Sequence, residues 1–218
     1  MEEVKFLAQP KLKGTVAVLC FAGWANAGEV GTSTLTFLKE AVGPAVLAEI
    51  EADPFYDFTA HRPSGCVSKG RVTSLTRPSN TFYFASATEG PPTILFLGEE
   101  PHLNWDRYCQ LILEVLLRFD TRLVITVGGT YDERLHTDPP LISYLAEDMV
   151  LAESVQSQGG RPGEYEGPIS VHTYLYQACR QRGLPVVGLW GHAPAYVQTG
   201  NFHLVKKSIE MIAALGGP

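Results

Sequence analysis

Charge is scarce in this chain. Asp, Glu, Lys and Arg make up 18% of its 218 residues, against about 25% in an average soluble protein. The balance is acidic, with a net charge of −6, and the richest basic segment, Lys5 to Lys13, holds only three lysines. Nucleic-acid binding needs a run of cations to displace the counterions of the phosphates, so nucleic acid is excluded as a partner. Long apolar runs are also missing. None approaches the roughly 18 residues of a membrane span, and the opening Met1-Glu2-Glu3 lacks the basic-then-apolar layout of a signal peptide. We therefore expect a cytoplasmic protein with no membrane partner. The four cysteines (Cys20, Cys66, Cys109, Cys179) are far apart and form no CxxC pair. That excludes a disulfide frame or a zinc knuckle and fits reduced, buried thiols. The usual marks of catalysis are absent as well: no G-x-S-x-G elbow, no S-x-x-K and no P-loop Lys-Ser/Thr. No cofactor, no metal and no catalytic residue is assigned.

Apolar residues, by contrast, are plentiful at 45%. A large core or an oligomer interface would each account for that surplus. Five short runs rich in Val, Ile and Leu do not alternate with polar residues: Val16–Phe21, Ala45–Ile50, Thr93–Leu97, Leu123–Val127 and Val186–Trp190. Strands covered on both faces read this way. Helical spacing separates them. Asn104 is positioned to cap a helix to about Phe119, and Pro168 suits the first turn of a helix to about Arg182. Asn201 is positioned to cap the last helix, and further helices are expected over 29–41 and 140–155. The expected fold is α/β, a mostly parallel central sheet flanked by helices, in a single domain over 1–218. The region 53–88 breaks the rhythm. Gly70–Leu75 and Thr81–Ala85 flank the turn signal Arg77-Pro78-Ser79-Asn80, which predicts a β-hairpin insertion. The glycine-rich stretch 158–167 predicts a loop.

Two constellations carry potential chemistry. The first is Gly23-Trp24-Ala25-Asn26-Ala27-Gly28, placed between a strand and a helix. Open α/β folds place ligands at such junctions, and Gly23 and Gly28 stand where a phosphate loop would have them. The alternative is a tight turn with Trp24 packed locally. The second is the rim at the carboxyl ends of the strands. Glu99, Glu100 and His102 follow one strand; Gly128, Gly129, Thr130, Asp132, His136 and Asp138 follow another; His192 follows the last. These groups can serve acid–base chemistry or a metal if they converge. Otherwise they form a polar loop edge. The candidate pocket is accordingly Gly23, Trp24, Asn26, Gly28, Glu100, His102, Asp132, His136 and His192.

The glycine turn with its following Glu29 resembles the Gly-Trp-x-Asp/Asn-Ala-Gly signature of the PAC2 family, the proteasome assembly chaperone 2-like proteins. Further matches follow in order: Asp53-Pro54-Phe55-Tyr56-Asp57-Phe58 with Arg62-Pro63; Gly98-Glu99-Glu100-Pro101 with Trp105; and His136-Thr137-Asp138-Pro139. Tyr165-Glu166-Gly167-Pro168 and Leu189-Trp190 with Pro194-Ala195-Tyr196-Val197 complete the series. Together they span nearly the whole chain. The resemblance implies a nucleoside-phosphorylase-like core with added β elements. It also implies an interaction or assembly protein that acts as a non-catalytic homo-oligomer, a trimer, with partners of proteasome type. Two positions depart from the family pattern. Asp138 stands where Arg is usual, and Ala195 where His is usual, so an anion site resting on those two does not carry over. The chain ends Ala214-Leu215-Gly216-Gly217-Pro218, without the hydrophobic-Tyr-any tail that docks in α-ring pockets.

Two functions are compatible with these residues. One is the assembly protein. The other is a small-molecule binder or enzyme for a nucleoside-like or hydrolysable substrate, using the strand-end rim. The missing nucleophile and cofactor motifs weigh toward the first.

Overall fold

All five apolar runs form strands, and all five point the same way in one nine-stranded sheet. A computed structural model describes residues 3–86 and 90–218. Its elements begin β1 (Val4–Phe6), β2 (Thr15–Ala22), α1 (Val30–Val42), β3 (Ala45–Ile50), β4 (Ser64–Ser68), β5 (Arg71–Thr76) and β6 (Thr81–Ala85). There follow β7 (Thr93–Glu99), α2 (Trp105–Arg118), β8 (Thr121–Asp132), β9 (Ile142–Leu145) and α3 (Met149–Ser157). The chain closes with β10 (Arg161–Pro162), α4 (Val171–Gln181), β11 (Val186–Pro194) and α5 (Phe202–Ala214). The sheet order is β1-β3-β6-β7-β2-β8-β11-β9-β10. Strands β7, β2, β8 and β11 are mutually parallel. Strand β6 is antiparallel to both of its neighbours, β3 and β7, and β9 is antiparallel to β11.

Alternate residues of β2 divide the core into two layers. Ala17, Leu19 and Phe21 join a cluster with Ile112 of α2 and Leu175 of α4. Val16, Val18 and Cys20 join one with Leu35 of α1 and Met211 of α5. A strand buried on both faces needs apolar side chains at every position, and this explains the unbroken run. Cys20, Cys109 and Cys179 are buried free thiols, whereas Cys66 is exposed. Burial pushes the Cys20 thiol well above its ordinary value, and those of Cys109 and Cys179 up to about 12.

Four elements differ from expectation. The inserted hairpin is β4–β5, not Gly70–Leu75 with Thr81–Ala85. Lys69 and Gly70 both have positive φ, 49° and 74°, the backbone that a two-residue hairpin turn requires. Strand β6 instead enters the main sheet, where Phe82 packs on Phe96 at 4.3 Å between ring centroids. The tail of the expected insertion, residues 87 and 88, lies outside the described residues, as do Met1 and Glu2. Second, the 140–155 segment is not one helix. Ile142 and Tyr144 are buried while Ser143 and Leu145 are partly exposed, so the segment follows a strand period against β11. The helix waits for Asp148, whose carboxylate accepts the N–H groups of Val150 and Leu151 at 2.9 and 3.1 Å.

Third, α4 starts at Val171 and not at Pro168, because Glu100 accepts the Val171 N–H at 2.9 Å. A carboxylate from a distant loop thus does the work of a local cap. Fourth, Asn104 sits at the head of α2 but does not cap it. Its φ is 56° and its Nδ2 donates to the Pro54 carbonyl at 2.7 Å. Asn201 does cap α5, accepting the Leu204 N–H at 3.2 Å.

Candidate functional site

The carboxyl ends of β7, β2, β8 and β11 share one edge, and the sequence-selected residues all lie along it. They do not converge on one point. At the centre, between β2 and β8, stands the crevice where an open α/β sheet would take a ligand. The glycine turn fills it. Gly129 donates its N–H to the Ala25 carbonyl at 2.8 Å, and a Cβ added at Gly129 would lie 2.2 Å from the Ala27 oxygen. Asn26 holds the turn onto α1: its Oδ1 accepts the N–H groups of Gly31 and Thr32 at 3.0 and 3.2 Å, and its Nδ2 donates to Thr32 Oγ1. The amides that would cradle a phosphate are therefore engaged by Asn26. Gly28, with φ 59°, packs closely under Ala193 and Asn201. The structure thus favours the tight turn over the phosphate loop.

Trp24 is the exception to local packing, because it is 64% exposed. It borders a cleft of about 510 Å³ lined by Ala22, Gly23, His61, Glu99, Glu100, Pro101, His102 and Trp105. That volume falls within the range of small-molecule sites. Most polar groups of the cleft are already engaged. Glu100 accepts the Trp24 N–H at 3.3 Å and the Val171 N–H with its other oxygen. His102 Nδ1 accepts the Asp57 N–H at 3.1 Å, which leaves the ring proton on Nε2. Glu99 meets His61 Nε2 at 3.0 Å. Beneath them, Tyr56 and Tyr108 each donate to Asn80 Oδ1 at 2.7 Å, fixing the end of β7. Burial pushes the Tyr56 phenol up to about 12. His61 was not selected from the sequence. It lies in the lead-in to the hairpin, and its chain position gave no sign that it would reach the rim.

The other rim residues gather at the ends of β8 and β11. His192 Nδ1 meets Asp132 Oδ2 at 2.9 Å, and His192 Nε2 meets Ser143 Oγ at 2.8 Å. Asp132 also accepts the Glu133 N–H at 2.7 Å. The hydrogen bond from His192 holds its carboxyl below the usual range. His136 is bonded to Tyr196 through both its N–H and its ring Nδ1, at 2.7 and 2.8 Å to the phenol oxygen. Asp138 folds back to accept the Leu135 N–H at 3.0 Å, so its charge closes a turn. Ala195 is exposed. Ser143 was missed because its segment read as helix. Among the described residues, no group of three His, Cys, Asp or Glu side chains has the geometry to hold a metal ion, and no helix is long and apolar enough to cross a membrane.

A PAC2 family model matches residues 20–216. The chain belongs to the PAC2 family. Its fold recurs in a PAC2 family protein from Streptomyces avermitilis, with a TM-score of 0.80 and 25% identity over 94% of this chain and 87% of that one. A proteasome-assembly chaperone homologue of Mycobacterium tuberculosis gives a TM-score of 0.81 at 24% identity, covering 91% and 86% of the two chains. PbaB of Pyrococcus furiosus, an archaeal proteasome activator, gives 0.77 at 17% identity over 99% and 90%. No curated protein matches the chain.

Proposed function

We propose that this PAC2 protein is an interaction protein that works as a homo-oligomer, a trimer, in proteasome assembly or activation in the cytoplasm. The whole chain acts in this as one unit. The observation that carries the reading is the hairpin β4–β5. Every residue of both strands is exposed, including Val67 at 72%, Val72 at 71% and Leu75 at 64%. A lone two-stranded hairpin is marginal in water, and apolar side chains held out on one call for a partner surface. The hairpin begins at Ser64, shortly after His61, which lines the Trp24 cleft. Exposed tryptophan beside a cleft is the usual anchor of a protein interface. The shared fold of a proteasome-assembly chaperone homologue and a proteasome activator supports the class of partner.

The test is capture of purified proteasome α-rings on the immobilised protein, with Trp24→Ala as the comparison. We expect retention at micromolar concentration and at least a tenfold weakening in the variant. An α-ring that flows through unretained would overturn the proteasome part of the proposal.

A further inference from the structure

The network at the ends of β8, β9 and β11 goes beyond an interaction role and does not depend on it. Ser143, His192 and Asp132 form a chain of two hydrogen bonds, 2.8 and 2.9 Å long, through opposite nitrogens of one imidazole. An ionised carboxylate can only accept, so His192 Nδ1 must carry the proton toward Asp132. Nε2 of the neutral ring then presents its lone pair to the Ser143 hydroxyl. A serine nucleophile needs this arrangement: a base in hydrogen-bond reach and a third group that fixes the base's tautomer. Such triads are recognised by geometry and roles and not by chain order, which here runs Asp, Ser, His. Each member stands on or at the end of a different strand of one sheet, the kind of rigid support that a catalytic group needs. His192 is 20% and Asp132 37% exposed at the side chain, and Ser143 is partly exposed.

We propose that Ser143, His192 and Asp132 are a nucleophilic acyl-transfer site that hydrolyses carboxylic esters. Ser143 Oγ bonds to the ester carbonyl carbon as its proton passes to His192 Nε2, and the carbonyl electron pair moves onto oxygen. That pair returns as the bond to the alcohol breaks, and the alkoxide takes the proton from His192. Water then adds to the acyl-serine with His192 again receiving a proton. The acid leaves and Ser143 Oγ recovers that proton. Asp132 stays ionised throughout and stabilises the imidazolium.

The test uses the full chain and a fluorophosphonate probe, with the modified residue located by peptide mapping. We expect covalent labelling at Ser143, abolished in Ser143→Ala and at least tenfold slower in both His192→Gln and Asp132→Asn. Asp132→Asn preserves shape and can still hydrogen-bond, so it keeps the test informative if His192→Gln does not fold. Hydrolysis of p-nitrophenyl acetate should be detectable in the natural protein and at least tenfold slower in Ser143→Ala. An unmodified Ser143 in the folded wild-type protein would overturn the proposal, as would labelling that folded Asp132→Asn leaves unchanged. Labelling at Ser143 without any hydrolysis of p-nitrophenyl acetate would overturn the substrate class.

Discussion

His172 is the least compensated side chain in the core. It is 1% exposed, neither ring nitrogen has a hydrogen-bond partner, and the ring lies between Phe21 and Trp190 at 4.8 and 5.3 Å. Burial in this apolar slot lowers its pKa from 6.5 to about 3. The unfolded chain binds a proton near pH 6.5 and the folded chain only near 3. Stability therefore falls as pH drops through that window, by up to about 1.4 kcal/mol per pH unit. We expect His172→Leu, close in size and free of a proton site, to flatten the acid limb of thermal stability between pH 6 and 4. Melting curves that run parallel for the two proteins would refute this. A lone histidine gives no sign in the sequence of which way it points, so neither the burial of His172 nor the pairing of His192 could be read there. Asp132 and His192 were selected as rim groups because parallel strands end on a common edge. Ser143 was not, because a serine in a strand has no signature until the strand itself is recognised.

The elements were legible where one physical rule governs them. Unbroken apolar runs marked β2, β7, β8 and β11 because both faces are covered, whereas the run of β3 leaves Val46 and Glu49 exposed. The glycine turn was visible because only glycine fits its backbone. Legibility failed where a distant group decides: Glu100 sets the start of α4, and pairing with β11 turns Ile142–Leu145 into a strand. The glycine turn yields a graded test. Asn26→Ala removes the cap of α1 and should cost about 1 kcal/mol. Gly129→Ala forces a methyl to 2.2 Å from the Ala27 carbonyl oxygen and should cost about 3 kcal/mol, since backbone must move. Gly43→Ala meets no atom within 4 Å and faces only its positive φ of 55°, a penalty of about 1 kcal/mol. Urea midpoints should fall furthest for Gly129→Ala. If Gly129→Ala matched Gly43→Ala, the crevice would not be closed by this turn.

At the scale of the whole molecule, the proposed role assigns the hairpin to association and leaves folding to the body. Among the described residues, none of the hairpin belongs to either core cluster, and Arg77, just past β5, meets Asp53 at 3.0 Å with both side chains exposed. An exposed pair of that kind contributes little. Val67 and Val72 stand directly opposite each other across the hairpin, so each shields the other only in part, and both still present most of their surface to water. Replacing Val67, Val72 and Leu75 together by Ser should leave the melting temperature of the body within about 3 °C of wild type, because no buried contact is lost. The same variant should lose the oligomer. Light scattering at micromolar concentration is expected to give a trimer for the natural sequence and a monomer for the triple variant. A monomeric natural sequence would mean that the exposed valines await a different protein, and a trimer that survives the three substitutions would place the contact on another face.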